Sequence, residues 1–171
     1  KNSNFVAQTE SQLYMKAMIF AAGLGTRLKP LTNTLPKALV PLAGKTLLQW
    51  QIEKLKSAGI TDIIINVHHF PDTIINYLED HKNFGCNILI SDEREMLLET
   101  GGGLRQARIL LGDKEPILAC NVDILSNIDI PTLVQAYQHD EMGIVVVSER
   151  ATQRYLLFDE ENRLKGWKNI V

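Results

Sequence analysis

Residues 18 to 46 read "MIFAAGLGTRLKPLTNTLPKALVPLAGKT", and two glycine-bearing segments inside this stretch, "GLGTR" and "GKT", look like phosphate loops. A Walker loop needs Gly-x-x-x-x-Gly-Lys-Ser/Thr, and counting back from Gly44-Lys45-Thr46 places Leu39 where the first glycine belongs. "GKT" therefore reads as a turn entering a helix at Thr46. The other segment begins as a dinucleotide fingerprint, Gly23-Leu24-Gly25, but Leu28 stands where the third glycine is required, which disfavours a nicotinamide site. What remains is an apolar run leading directly into two glycines, a hydroxyl and a guanidinium.

Outward from this stretch, strand-length apolar runs recur at "AMIFAA", "DIIINV", "CNILI", "PILAC" and "GIVVVS". Between them lie segments of helical spacing. "TLLQWQIEKLKSAG" aligns Leu48, Ile52 and Leu55 and ends at Gly59, a residue suited to the left-handed position past a helix end. "PDTIINYLEDH" opens on Pro71, acceptable in a first turn, and aligns Ile74, Ile75 and Leu78. "GGGLRQARILLG" and "IPTLVQAYQHD" supply two more. Alternation of this kind predicts an α/β, Rossmann-like fold: a mostly parallel central sheet with helices on both faces, three layers in all. In such sheets ligands bind beyond the carboxyl ends of the strands, so the turns after Ala22, Val67, Ile90 and Cys120 are the places to search.

The 171 residues carry 45% hydrophobic and 22% charged side chains with a formal net charge of -2, ordinary values for a globular domain and no basic field for nucleic acid. No apolar run reaches membrane-spanning length and no signal peptide is evident, so a cytoplasmic location without membrane association is expected. Cys86 and Cys120 lie in apolar runs without disulfide or zinc spacing, and are expected to be buried in a reducing compartment. Residues 1–14 are polar and aperiodic and read as a tag remnant or linker; residues 15–171 read as one domain. "RYLLFDEENRLKGWKNIV" reads as two short strands joined by an Asp-Glu-Glu-Asn turn. Oligomeric state is left open, a homo-oligomer included.

Glycines let backbone amides approach an anion closely, arginine grips phosphate oxygens through two bonds, and lysine acts as a compact charge. Gly23, Gly25, Thr26 and Arg27, with Lys37 after the rigid Pro36 ten residues on, thus suit a polyphosphate. The same residues also read as a glycine turn bearing two solvated cations. "AAGLGTRLKPLTNTLPKALVPLAGK" resembles the signature of the sugar-phosphate nucleotidyltransferases, and "ETGGG" at Glu99 to Gly103 looks most like the branch containing N-acetylmuramate-1-phosphate uridylyltransferase and bacterial mannose-1-phosphate guanylyltransferases.

The resemblance implies transfer of a nucleoside monophosphate from a nucleoside triphosphate to a sugar-1-phosphate, releasing pyrophosphate. It implies that Gly23, Gly25, Thr26 and Arg27 wrap the triphosphate, that Arg27 holds the departing pyrophosphate, and that Lys37 stabilises charge at the reacting centre. Ala22, Gly101 and Gly102 occupy the places of base-gripping backbone. Asp123, in Asn121-Val122-Asp123, matches the aspartate that binds magnesium, making Arg27, Lys37 and Asp123 the catalytic set. Two departures stand out. Val122 replaces a usual glycine, and no residue of "RLKGWKNIV" can serve as the family's second metal-binding aspartate, so the domain is expected to be truncated at its C-terminus.

His68 and His69 are adjacent on an extended segment and point to opposite sides, which argues against a shared metal; one is expected to be packed and one at the rim. Glu93 and Glu99 flank the glycine-rich helix start as weaker base or ribose contacts, and Trp50 is expected to pack its helix. The rival to catalysis is a noncatalytic nucleotide- or nucleotide-sugar-sensing domain of the same fold.

Overall fold

The computed structural model describes residues 15–137 and 141–170. They form two compact units, one ending at Leu133 and one beginning at Val134. The reading of residues 1–14 lies outside the described residues, as do positions 138–140 of the last expected helix.

In the first unit the strands are β1 (Lys16–Phe20), the short β2 (Pro41–Leu42) and β3 (Lys45–Thr46), β4 (Asp62–Val67), β5 (Asn87–Asp92) and β6 (Ile117–Asn121). The helices are α1 (Leu47–Ser57), α2 (Pro71–Asp80), α3 (Glu99–Leu111) and α4 (Ile130–Ala136), the last spanning the boundary between the units. Four strands form one sheet in the order β5-β4-β1-β6, every neighbouring pair parallel. β1 is central, with Met18 opposite Ile64 on β4 and Ala119 on β6.

Successive residues of a strand face opposite sides, so burial of both sets means that both faces are covered. Met18 and Ile64 pack with Ala107 and Leu111 of α3. On the other face Ala17, Ile19, Ile63 and Ile65 are equally inaccessible, as are Leu48 and Ile52 of α1 and Ile74 of α2. The expected layered α/β architecture is present.

The Gly44 segment is a hairpin, not a phosphate loop. Ala43 and Gly44 both have positive φ, as a tight two-residue turn between β2 and β3 requires. Thr46 then caps α1 by accepting the Gln49 N–H. At the other end Gly59, at φ +81, carries a Schellman closure: Gly59 N–H donates to Lys56 O and Ile60 N–H to Leu55 O. Trp50, half-buried, donates to Leu42 O of the hairpin while Lys45 Nζ lies 4.6 Å over its ring.

In the second unit β7 (Arg154–Phe158) and β8 (Leu164–Asn169) form the expected antiparallel hairpin. Asp159 organises its turn, accepting from the N–H groups of Glu161 and Arg163. The Arg163 backbone bond foremost, with the Arg163 and Lys165 side chains adding to it, lowers this carboxyl to about 2. The strand expected at Gly143–Ser148 is absent. Ile144 to Val147 are exposed and in no sheet, because β-branched residues make a strand only where a neighbour completes the ladder. Among the described residues no helix is long and apolar enough to cross a membrane.

Both cysteines are free and half-buried rather than fully buried. Burial raises the Cys86 thiol, and raises Cys120 to about 11. The fold therefore favours a neutral Cys120 thiol, a contribution intact below the ordinary value of 9.0 and lost as pH climbs toward about 11. Urea unfolding across that interval should show stability falling in the wild type and a flatter profile in Cys120→Ala. Replacing the α1 cap in Thr46→Ala should cost about 1 kcal/mol, seen as a lower urea midpoint with unchanged slope.

Candidate active site

The sheet order places β1 between β4, which follows it in one direction, and β6, which lies on the other side. The carboxyl ends of β1 and β6 therefore flank the point where the winding reverses, where open α/β sheets form their ligand crevice. The first loop leaves β1 there and Asp123 follows β6.

The first loop is shaped by Gly25, which takes φ +64, the left-handed region. A Cβ here would stand 2.8 Å from Thr32 Cγ2 and 3.0 Å from Lys37 Cβ, so glycine is required on both counts. Thr32, buried, donates its hydroxyl to Gly25 O at 2.8 Å, and Leu28 N–H donates to the same carbonyl. Thr26 and Arg27 follow on a single 3-10 turn, both exposed. Gly23 differs from Gly25: its φ is not positive and no protein atom lies within 4 Å of where a Cβ would be. Ala22, just before it, is buried.

Lys37 opens another 3-10 turn after Pro36, whose extended backbone directs the chain back toward the sheet. Its ammonium pairs with the Asp123 carboxylate, with side-chain exposures of 17% and 34%. Two residues separated by 86 positions and suggested by different motifs thus meet across the β1–β6 crevice. Arg27 forms no ion pair among the described residues.

Val122 answers the first departure noted in the sequence. Its N–H donates to Phe20 O, continuing the β1–β6 ladder, and its side chain is buried. Asp123 follows in the turn that Ile124 N–H closes on Asn121 O, its side chain partly exposed. φ at Val122 is not positive, so a β-branched residue fits. The loop beyond is tied to α1, because Gln51 donates to Ile124 O and Lys54 to both oxygens of Ser126.

Across the sheet, Gly101, Gly102 and Gly103 lie inside the first turns of α3 rather than before it. A Cβ on Gly102 would stand 2.9 Å from Leu98 Cβ, and one on Gly103 2.6 Å from Glu93 Oε1, so close packing accounts for both. Gly101 is exposed with nothing within 4 Å. Glu93 does not face ligand space: it is 2% exposed and accepts from Asn66 Nδ2 and Leu98 N–H. Glu99 is exposed at the helix start.

His68 donates from Nδ1 to Glu93 O at 2.7 Å, since a carbonyl can only accept, while the His69 ring lies 4.1 Å from that of Phe70. Both are half-buried. Sequence reasoning passed over Asn66, Thr32 and Gln51, whose signal was a polar side chain in an otherwise buried setting. "DIIINV" shows it most plainly, with one amide in an aliphatic strand.

A magnesium site asks for oxygen donors, typically one or two carboxylates with substrate phosphates. Asp123 offers one partly exposed carboxylate beside the glycine loop, which fits a site completed by substrate. Among the described residues no group of three or more His, Cys, Asp or Glu side chains gathers as a ready metal cage.

Known proteins resemble this chain in sequence and in fold. N-acetylmuramate alpha-1-phosphate uridylyltransferase of Caulobacter vibrioides is 37% identical over 149 residues, 84% of this chain and 61% of the relative. The protein of that name in Neisseria meningitidis serogroup B is 46% identical over 121 residues, 71% of this chain and 52% of the relative. The chain thus spans between half and two thirds of these two relatives' lengths. The crystal structure of HddC from Yersinia pseudotuberculosis complexed with GMP-PN shares the fold at TM-score 0.70 and 21% identity, over 90% of this chain and 68% of that one. The family model described as "Nucleotidyl transferase" matches residues 16–156, and the chain belongs to that family.

Proposed function

We propose that the protein is a sugar-1-phosphate nucleotidyltransferase, and that Arg27, Lys37 and Asp123 are its catalytic residues. The observation that supports this most is the meeting of Lys37 and Asp123 across the β1–β6 crevice, beside a loop held open by a left-handed Gly25. A cation and a carboxylate delivered to one point by separate loops suit phosphoryl chemistry better than two solvated surface charges do.

An oxygen of the sugar phosphate attacks the α-phosphorus of the triphosphate, the new P–O bond forms, the bond to the β-phosphate breaks, and pyrophosphate leaves. The attacking phosphate is already anionic at neutral pH, so no general base is needed and catalysis becomes positioning and charge neutralisation. The backbone of Gly23, Gly25 and Thr26 cradles the triphosphate, while Ala22, Gly101 and Gly102 present backbone to the base. Arg27 holds the leaving pyrophosphate with its planar fork, and Lys37 offsets charge at the α-phosphate. Asp123 would hold magnesium, which when bound neutralises phosphate oxygens. The relatives' names suggest UTP with N-acetylmuramate-1-phosphate as the first pair to assay.

Pyrophosphate release by the intact gene product should depend on magnesium, stop with EDTA, and favour one pair among UTP, GTP, CTP, ATP and dTTP set against N-acetylmuramate-, mannose- and glucose-1-phosphate. Arg27→Ala and Asp123→Ala should lower kcat by roughly a hundredfold or more with little change in Tm. Wild-type turnover in either variant sinks the site assignment, and triphosphate binding without turnover across the grid favours the sensing reading. The two loop glycines should separate. Gly25→Ala should cost on the order of 1–2 kcal/mol of stability in a urea titration, whereas Gly23→Ala should leave the unfolding midpoint in place and raise the KM for triphosphate.

A further inference from the structure

A buried polar chain joins the end of β1 to the start of α3, and none of its side chains belongs to the reaction as assigned above. Ala21 N–H donates to Asn66 Oδ1 at 2.7 Å, Asn66 Nδ2 donates to Glu93 Oε1 at 2.8 Å, and Leu98 N–H donates to Glu93 Oε2 at 3.2 Å. Asn66 and Glu93 are each 2% exposed. Among the described residues no lysine, arginine or histidine forms a salt bridge with Glu93.

The polarity of this chain is fixed. A backbone N–H can only donate, so the Asn66 oxygen must face Ala21, and its NH₂ group is thereby aimed at a carboxylate that only accepts. Neither amide flip nor sliding preserves both bonds. A buried carboxylate held by neutral groups is a costly way to fill space, since an apolar side chain of similar size would desolvate no charge. The cost is met where the chain ends. Ala21 adjoins Ala22-Gly23, while Leu98 caps α3, and a Cβ on Gly103 would stand 2.6 Å from Glu93 Oε1.

We infer that Asn66 and Glu93 are positioning residues that set the separation between the glycine loop after β1 and the glycine-bearing start of α3, and so the fit of the nucleotide between them. This rests on the nucleotide reading of those two segments. The prediction specific to it is that the bond pattern, not the residue identities, is what matters. In Glu93→Gln the shape is kept but one amide donor faces another donor, at Asn66 or at Leu98. In the double variant Asn66→Asp with Glu93→Gln every bond returns. Ala21 N–H donates to one oxygen of the new carboxylate at position 66, the new amide at position 93 donates its NH₂ to the other, and Leu98 N–H donates to that amide's oxygen. One carboxylate is present in either arrangement.

The test measures kcat, the KM for each substrate and Tm in the intact gene product. Glu93→Gln should raise the KM for triphosphate about tenfold while that for sugar-1-phosphate moves less than about twofold, and the double variant should return the triphosphate KM to within about threefold of wild type. A wild-type triphosphate KM in Glu93→Gln overturns the inference, as does a folded double variant no better than the single one. Should Glu93→Gln fail to fold, the double variant and Gly103→Ala decide. A folded double variant with wild-type KM, and a folded Gly103→Ala with raised KM, support it; an unfolded double variant or an unchanged Gly103→Ala overturns it. Wild type is assayed first. If it shows no turnover the catalytic reading fails on its own, and the dissociation constant of a fluorescent triphosphate, measured in the same variants, carries the same pattern or its refutation; absence of triphosphate binding in wild type overturns both.

Discussion

β1 is paired on both edges and covered on both faces, and this confinement governs the architecture around it. A strand with a parallel neighbour on each side cannot slide without breaking two ladders and turning its apolar residues to the wrong faces. Its carboxyl end is therefore a fixed point. The glycine loop hangs from that point, Val122 borrows the last carbonyl of the strand to extend β6, and Asn66 takes the first N–H beyond the ladder. Lys37 and Asp123 come together because both loops start from neighbouring, immobile strand ends.

Much of this was legible in the residues. The runs at Ala17, Asp62, Cys86 and Pro116 announced strands because each is short, apolar and punctuated by turn residues, and all four lie in the sheet. Gly59 marked a helix end because only a residue tolerant of positive φ closes a Schellman turn so well. Gly143–Ser148 misled for the converse reason: its valines carry strand preference, but a strand is a property of a pair, and no sequence window contains the partner.

At the candidate site the sequence suggested residue types but not distances. Arg27, Lys37 and Asp123 were singled out by chemistry and resemblance as expectations, and the pairing of Lys37 with Asp123 is a long-range contact that the intervening 85 residues conceal. The glycines at 101 to 103 looked like one feature and are three. A side chain at Gly102 or Gly103 would meet a neighbouring side chain, whereas one at Gly101 would meet open space. Glu93 looked like a ligand contact because it flanks the glycines, and burial gives it a different task.

The way Glu93 is held also determines how this part of the molecule meets its ionic surroundings. Surface pairs such as Arg94 with Asp92 or Arg108 with Asp113 stand in water, where mobile counterions compete for each partner. Asn66 and Glu93 are linked by a hydrogen bond buried out of reach of that atmosphere. The contacts that join β1 to the start of α3 are thereby insulated from ionic strength, whatever the salt around them.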